Sequence, residues 1–213
     1  MPSTKIRRKK RLPRVPSRRY SIAMTIPGTS ILIEGHAIVS DDGMIADSTG
    51  AMPPELRNDA DWRLFQAALD RAALVVLGRL GHSRHPNPGR RRLVLTRSVE
   101  ALASDPADPL AHYWNPSGVA IGDVATRLGI TGGTIAITGG TGAFDLFLPL
   151  YDRFVLAEVR GLRIPDGTQC FTKGHPRLVL PGAGLEARDM ETIDRGVIQT
   201  QWVRTVKSGQ APA

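Results

Sequence analysis

"ITGGTGAFDLFLP", Ile137–Pro149, decides how the rest of the chain is read. An apolar run ends at Ile137. Thr138, Gly139, Gly140, Thr141 and Gly142 follow, and an amphipathic stretch then runs to Pro149. The pattern is strand, glycine turn, helix. Glycines at such a junction let backbone N–H groups approach phosphate oxygens, and the next helix offers its positive end. The dinucleotide fingerprint is not matched. Its third glycine is missing, and the stretch lies two-thirds along the chain rather than after the first strand. Taken alone, the residues fit a plain tight turn equally well.

Working outward, Thr134–Thr138 reads as the strand before the glycines and Ser117–Leu128 as the helix before that strand. "ALVVLG", Ala73–Gly78, and Leu93–Thr96 are short apolar runs, so buried strands. "ILIEGHAIVS", Ile31–Ser40, is the first strand. Ile31, Ile33, Gly35, Ala37 and Val39 share one face, and Glu34 and His36 lie on the other. "DDGMIADSTGAMPPE" is a polar loop. Asn58 can N-cap "DADWRLFQAALDRA", which places Asp61, Trp62, Phe65, Ala68 and Leu69 on one helical face. After the glycines, Arg153–Gly161 is a strand, and the last forty residues read as strand hairpins with a turn at Asp194–Gly196. This alternation predicts an α/β three-layer sandwich: a mostly parallel central sheet with an antiparallel C-terminal edge hairpin.

The chain has 213 residues, is 41% hydrophobic and carries a net charge of +8. Residues 1–19 hold nine Lys and Arg and no acid, so about −1 remains for everything after them. The charge therefore marks a tail rather than a basic domain. The reading is a basic disordered tail at 1–20, a linker at 21–30, a single domain at 31–206 and a flexible C-terminus at 207–213. The tail could contact nucleic acid or an acidic membrane surface, but a solvated extension accounts for it better. One cysteine, Cys170, excludes an internal disulfide, so a reducing cytoplasm is expected. No apolar run approaches membrane-spanning length.

The five histidines lack metal-ligand spacing, and one cysteine cannot build a thiolate site, so no metal is expected. His82 and His85 fall in a stretch read as a Gly/Pro/Arg loop. The hydrolase elbow G-x-S-x-G is absent. Two stretches strengthen the phosphate reading of the glycines. "VVLGR" and "LVLTR" put Arg79 and Arg97 just after buried strands, where open α/β sheets bind ligands. With Thr96 they can clamp phosphate. At the other pole, Asp61 shares the apolar helix face with Phe65. A carboxyl against aromatic surface has a raised pKa and can donate a proton.

The chain resembles the dihydrofolate reductase family and its riboflavin-pathway pyrimidine reductase relatives, in order, from about Ile31 to Phe171. "AIVSDDGMIADSTGAMP" looks like the first strand and active-site loop. "DADWRLFQ" resembles the helix with the proton-relay acid, and "VVLGR" and "PGRRRLVLTR" the next two strand ends. "IAITGGTGAFDLFLP" is the most specific match, and "IPDGTQCF" resembles a later turn. The resemblance implies an NADPH-dependent reductase. Gly139, Gly140, Thr141 and Gly142 would lie on the diphosphate. Gly78, Arg79, Thr96 and Arg97 would hold the adenosine side, and Ala37 and Ile45 would flank the nicotinamide. Asp61, with Asp59 as alternative, would relay the proton. Phe65 and Thr138 would pack on the substrate, and Arg90 would grip the folate carboxylate.

Pro54, Phe144 and Ala157 replace the family's loop tryptophan, helix tyrosine and acid-bonding threonine, and Glu34 and His36 stand where folate enzymes are apolar. The first expectation is reduction of 7,8-dihydrofolate. The second is a ribosylamino-pyrimidine phosphate reductase or an orphan reductase of the same fold. The third is a non-catalytic binding protein. The partner is a small molecule, pterin or pyrimidine, and the assembly a monomer or homodimer.

Overall fold

A computed structural model describes residues 30–205. The basic tail, all but the last residue of the linker, and residues 207–213 lie outside them. Eleven strands and five α-helices follow in order. They are β1 (Ser30–Ser40), β2 (Met44–Ala46), α1 (Asp59–Arg71), β3 (Leu74–Gly78), α2 (Arg79–Arg84), β4 (Arg92–Leu95), β5 (Leu102–Asp105), β6 (Asp108–Trp114), α3 (Ile121–Arg127), β7 (Gly132–Ile137), α4 (Thr141–Phe147), β8 (Arg153–Val159), β9 (Thr168–Gln169), α5 (Pro176–Gly182), β10 (Leu185–Asp194) and β11 (Val197–Arg204).

Nine strands form one sheet in the order β10-β11-β8-β1-β7-β3-β4-β6-β5. The six from β8 to β6 run parallel. The hairpin β10–β11 closes one edge antiparallel, as the alternation around Val197 requires. The predicted sandwich is what forms. Helices α3, α4 and α5 cover one face over a large cluster that includes Ile33, Val39, Phe144, Phe147 and Phe154. Helix α1 covers the other, where Phe65 and Leu69 pack on Val75, Leu77, Val94 and Ala136. Gly35 is required by that packing: a Cβ there would lie 2.2 Å from the Phe154 ring.

Four readings change. A second antiparallel edge exists, because β5 turns back on β6 through an Asp105 side chain that accepts the Ala107 N–H at 2.9 Å. Helix α5 interrupts the stretch read as hairpins. It starts on Pro176 and contains Pro181, so its sequence carries little helical signal. The His82 stretch is helix α2, and His85 is its C-cap. The helix read at Ser117–Leu128 contracts to α3, since residues 117 and 118 turn on Asn115.

The sheet also makes an opening. β1 and β7 pair only as far as Gly35↔Ile137. Beyond that point β1 continues against β8 to Ser40, while β7 ends in the glycine junction. The two central parallel strands therefore part at their carboxyl ends, where doubly wound sheets place their ligands.

Candidate active site

One wall of the opening is backbone. The Gly78 N–H donates to Gly139 O at 3.0 Å, which joins the end of β3 to the glycine junction. Gly139 and Gly140 have φ of 121° and 45°, in the range that side chains disfavour. A Cβ on Gly140 or on Gly142 would meet nothing within 4 Å. The junction thus presents bare backbone to open space at the start of α4, where the Ala143 N–H turns back to Gly140 O at 2.9 Å. Thr141 Oγ1 donates to Gln169 O and pins the turn.

The neighbouring strand ends add charge. Gly78 is paired with Leu95, so Arg79 and Arg97 follow adjacent parallel strands. Both are exposed, and neither joins an ion pair among the described residues. Thr96 is buried, and its Oγ1 is 2.8 Å from Ser98 Oγ. Bare glycine backbone beside two unpaired guanidiniums fits a phosphate-bearing cofactor. Ala37 and Ile45 are partly buried and pack against the large cluster. Phe144 is 1% exposed, inside the aromatic core against Phe154 and Phe171. A hydroxyl at that position would therefore have no open surface to reach.

The other wall carries the acid. Asn58 caps α1, accepting the Asp61 N–H at 3.0 Å. Asp61 then points inward and Asp59 outward. Burial pushes the Asp61 carboxyl up to about 6 from an ordinary 3.8, against the nearby His36 charge and a hydrogen bond with the Gln199 side chain. Phe65 lies 5.8 Å from the His36 ring. Trp62, read as inward from its spacing, is 52% exposed and leans on Phe65 from outside. Thr138 is half-buried at the end of β7, its N–H bonded to Val76 O at 2.9 Å.

Sequence reasoning missed two participants, Gln199 and Arg153. Gln199 is paired with Ala157 across β11 and β8, and its side chain hydrogen-bonds the Asp61 carboxyl. Arg153 donates from Nε to Glu34 Oε2 at 2.5 Å. Glu34 Oε1 is 2.8 Å from His36 Nε2. Burial alone would raise the Glu34 carboxyl. The His36 contact and charge, and the Arg153 guanidinium, outweigh it and hold the group below its ordinary range. The out-of-pattern Glu34 and His36 were visible signals, but their partners come from a strand about 120 residues away.

Arg90 is bonded to residues of α1 and of its own loop. Its Nε and Nη2 donate to Asp70 Oδ1 at 3.1 and 2.6 Å, Nη2 to Gln66 Oε1 at 2.9 Å and Nη1 to Asn87 Oδ1 at 3.0 Å. Four of its five N–H groups are thus engaged by the protein itself. A separate pocket between Trp114, Val119 and the α4 residues Leu146 and Phe147 contains none of the predicted site residues.

No family model and no curated protein matches the chain. Solved structures do. A pyrimidine reductase-like protein from Corynebacterium diphtheriae is similar with a TM-score of 0.59 at 15% identity, over 83% of this chain and 92% of that one. A dihydrofolate reductase from Enterococcus faecalis complexed with NADP(H) and RAB-propyl gives 0.54 at 16%, over 82% and 97%. A diaminohydroxyphosphoribosylaminopyrimidine deaminase/5-amino-6-(5-phosphoribosylamino)uracil reductase from Thermotoga maritima gives 0.54 at 14%, over 83% and 57%. In its mostly parallel sheet with an antiparallel edge hairpin, the chain thus has the fold of these solved structures, which include a dihydrofolate reductase and pyrimidine reductases.

Proposed function

We propose that the chain is an NADPH-dependent reductase of a C=N bond in a small molecule carrying a pterin or pyrimidine. The observation that carries this is Asp61: a carboxyl set inward by the Asn58 cap on the helix over the sheet, where burial pushes it up to about 6. Gly139–Gly142 would hold the diphosphate through backbone N–H groups. Arg79, Thr96 and Arg97 would hold the adenosine side and its phosphate, and Ala37 and Ile45 would flank the nicotinamide. NADPH supplies hydride when bound. Asp61 supplies the proton to the imine nitrogen, so the bond is reduced across both atoms. Phe65 and Thr138 orient the ring, and Gln199 holds the carboxyl.

The same geometry favours a ribosylamino-pyrimidine phosphate over dihydrofolate. The carboxylate of folate would have to compete with Asp70 for Arg90, four of whose five donors are already taken. Buried Glu34 and His36 suit a substrate with hydroxyl groups better than a flat apolar ring. The test is NADPH oxidation by the purified full chain. The expected result is loss of NADPH absorbance with 5-amino-6-(5-phosphoribosylamino)uracil. Faster loss with 7,8-dihydrofolate would reverse the substrate order. No oxidation with either, and no rise in melting temperature at saturating NADPH, would overturn the reading.

A further inference from the structure

Four ionisable groups lie in a row on the α1 face of the sheet. Arg153, on β8, is paired with Glu34 on β1, and its side chain is 42% exposed. Glu34 touches His36 at 2.8 Å, and both are under 10% exposed. Asp61 completes the row from α1, one helical turn before Phe65, whose ring lies 5.8 Å from that of His36. These are the charged groups that face His36. β7 contributes no titratable residue, α1 also presents the apolar Phe65, and β11 the neutral Gln199.

Packing does not require this row. A buried ion pair is commonly no more stabilising than apolar side chains of the same volume. The neighbours on this face, Ile38 and Ala157, are apolar. His36 is also the first residue of β1 past the last β1–β7 pair, so it stands where the strands part. The row therefore leads from a half-exposed guanidinium and its carboxylate, through an imidazole, to the acid at the opening. Imidazole is the side chain suited to accept and release a proton near neutral pH.

We propose that His36 is a proton relay that recharges Asp61 in each turnover, drawing on solvent at the Glu34–Arg153 end. The inference rests on the reductase reading above. Reduction of a C=N bond consumes one hydride and one proton. The Asp61 O–H bond breaks as the substrate N–H forms, which leaves a carboxylate. The His36 imidazolium then gives its proton to that carboxylate, and the neutral imidazole regains one from water beside Glu34. NADPH is the only reductant. His36 acts through Asp61, and Glu34 and Arg153 position it.

The test uses the full chain with His36→Gln and His36→Ala, each first checked for an unchanged melting temperature and NADPH binding. With NADPH and whichever of the two substrates the wild type reduces, His36→Gln is expected to lose at least about tenfold in kcat above pH 7, with KM little changed. Its solvent deuterium isotope effect should rise, and added imidazole should restore rate to His36→Ala but not to Asp61→Asn. A purely electrostatic role predicts the opposite sign: removing a cation beside Asp61 would carry the alkaline limb of the pH profile upward. That shift, or a loss of rate that imidazole does not restore, would overturn the relay. A second measurement needs no turnover. In protein labelled with ¹⁵N-histidine, the His36 ring resonances should move as Asp61 titrates and lose that movement in Asp61→Asn. Identical titration curves in the two proteins would overturn the relay. A wild type that reduces neither substrate would instead remove the reductase reading, and the NMR comparison would still report on the coupling.

Discussion

Asp61 sets the chemistry at the scale of one residue, and its burial has a stability cost. In the unfolded chain the carboxyl has its ordinary value of 3.8; in the folded chain it is raised to about 6. Between those values the folded state holds a proton that the unfolded state has released, so stability falls as pH rises through about 6. Asp61→Asn removes that penalty. The variant is expected to be more stable than wild type by roughly 1–3 kcal/mol at pH 8 and equal to it at pH 3, while turnover is lost. Denaturant melts at the two pH values measure it; equal stabilities at pH 8 would mean the carboxyl is not held in a buried place. Arg90 gives a contrasting case. Arg90→Ala breaks contacts within the protein, so about 1 kcal/mol of stability should be lost with the Kd for NADPH unchanged. A dihydrofolate KM raised tenfold in that variant, at constant kcat, would restore Arg90 as a carboxylate grip.

At the scale of elements, the glycine junction and the start of α4 form the proposed cofactor wall. Gly142 separates fold from binding there. It lies in helical backbone, and a Cβ on it meets nothing within 4 Å. Gly142→Ala should therefore leave the fold intact, or raise stability by up to about 1 kcal/mol through helix propensity. The same methyl group would enter the space assigned to the diphosphate. NADPH affinity, read by fluorescence quenching, is expected to fall by about tenfold or more, the equivalent of 1.4 kcal/mol. Unchanged affinity with unchanged stability would move the cofactor off this wall. The same contrast shows why the junction could be read from sequence and α5 could not. Apolar run, glycines and amphipathic stretch are local signals. Helix α5 is seven residues with an internal proline, held by Val179 and Leu180 packing into the large cluster.

At the scale of the molecule, the sheet and both of its packed faces are built from residues 30–205, and the described part of the chain has no helix long and apolar enough to cross a membrane. Deleting residues 1–19 is therefore expected to leave the melting temperature and any NADPH oxidation unchanged, while taking the net charge from +8 to about −1. A drop of several degrees, or loss of turnover, in a thermal melt and a rate assay of the truncated chain would show that the tail packs on the domain or completes the site.

The sequence by itself determined the parallel core strands, the glycine junction, the capped helix that turns Asp61 inward, and the two arginines after buried strands. Each is a local pattern of hydrophobic period, cap or turn residue, and such patterns report backbone conformation directly. Only the tertiary structure decided which groups meet. Trp62 has inward spacing yet faces water, because the helix stripe is narrower than its periodicity suggests. The Arg90 guanidinium meets Asp70 and Gln66 of α1, twenty or more residues before it. Gln199 reaches Asp61, and Arg153 reaches Glu34, because the strand order sets β11 beside β8 and β8 beside β1. Such pairings depend on sheet order and register across about 120 residues or more, and no local pattern in a single sequence encodes them.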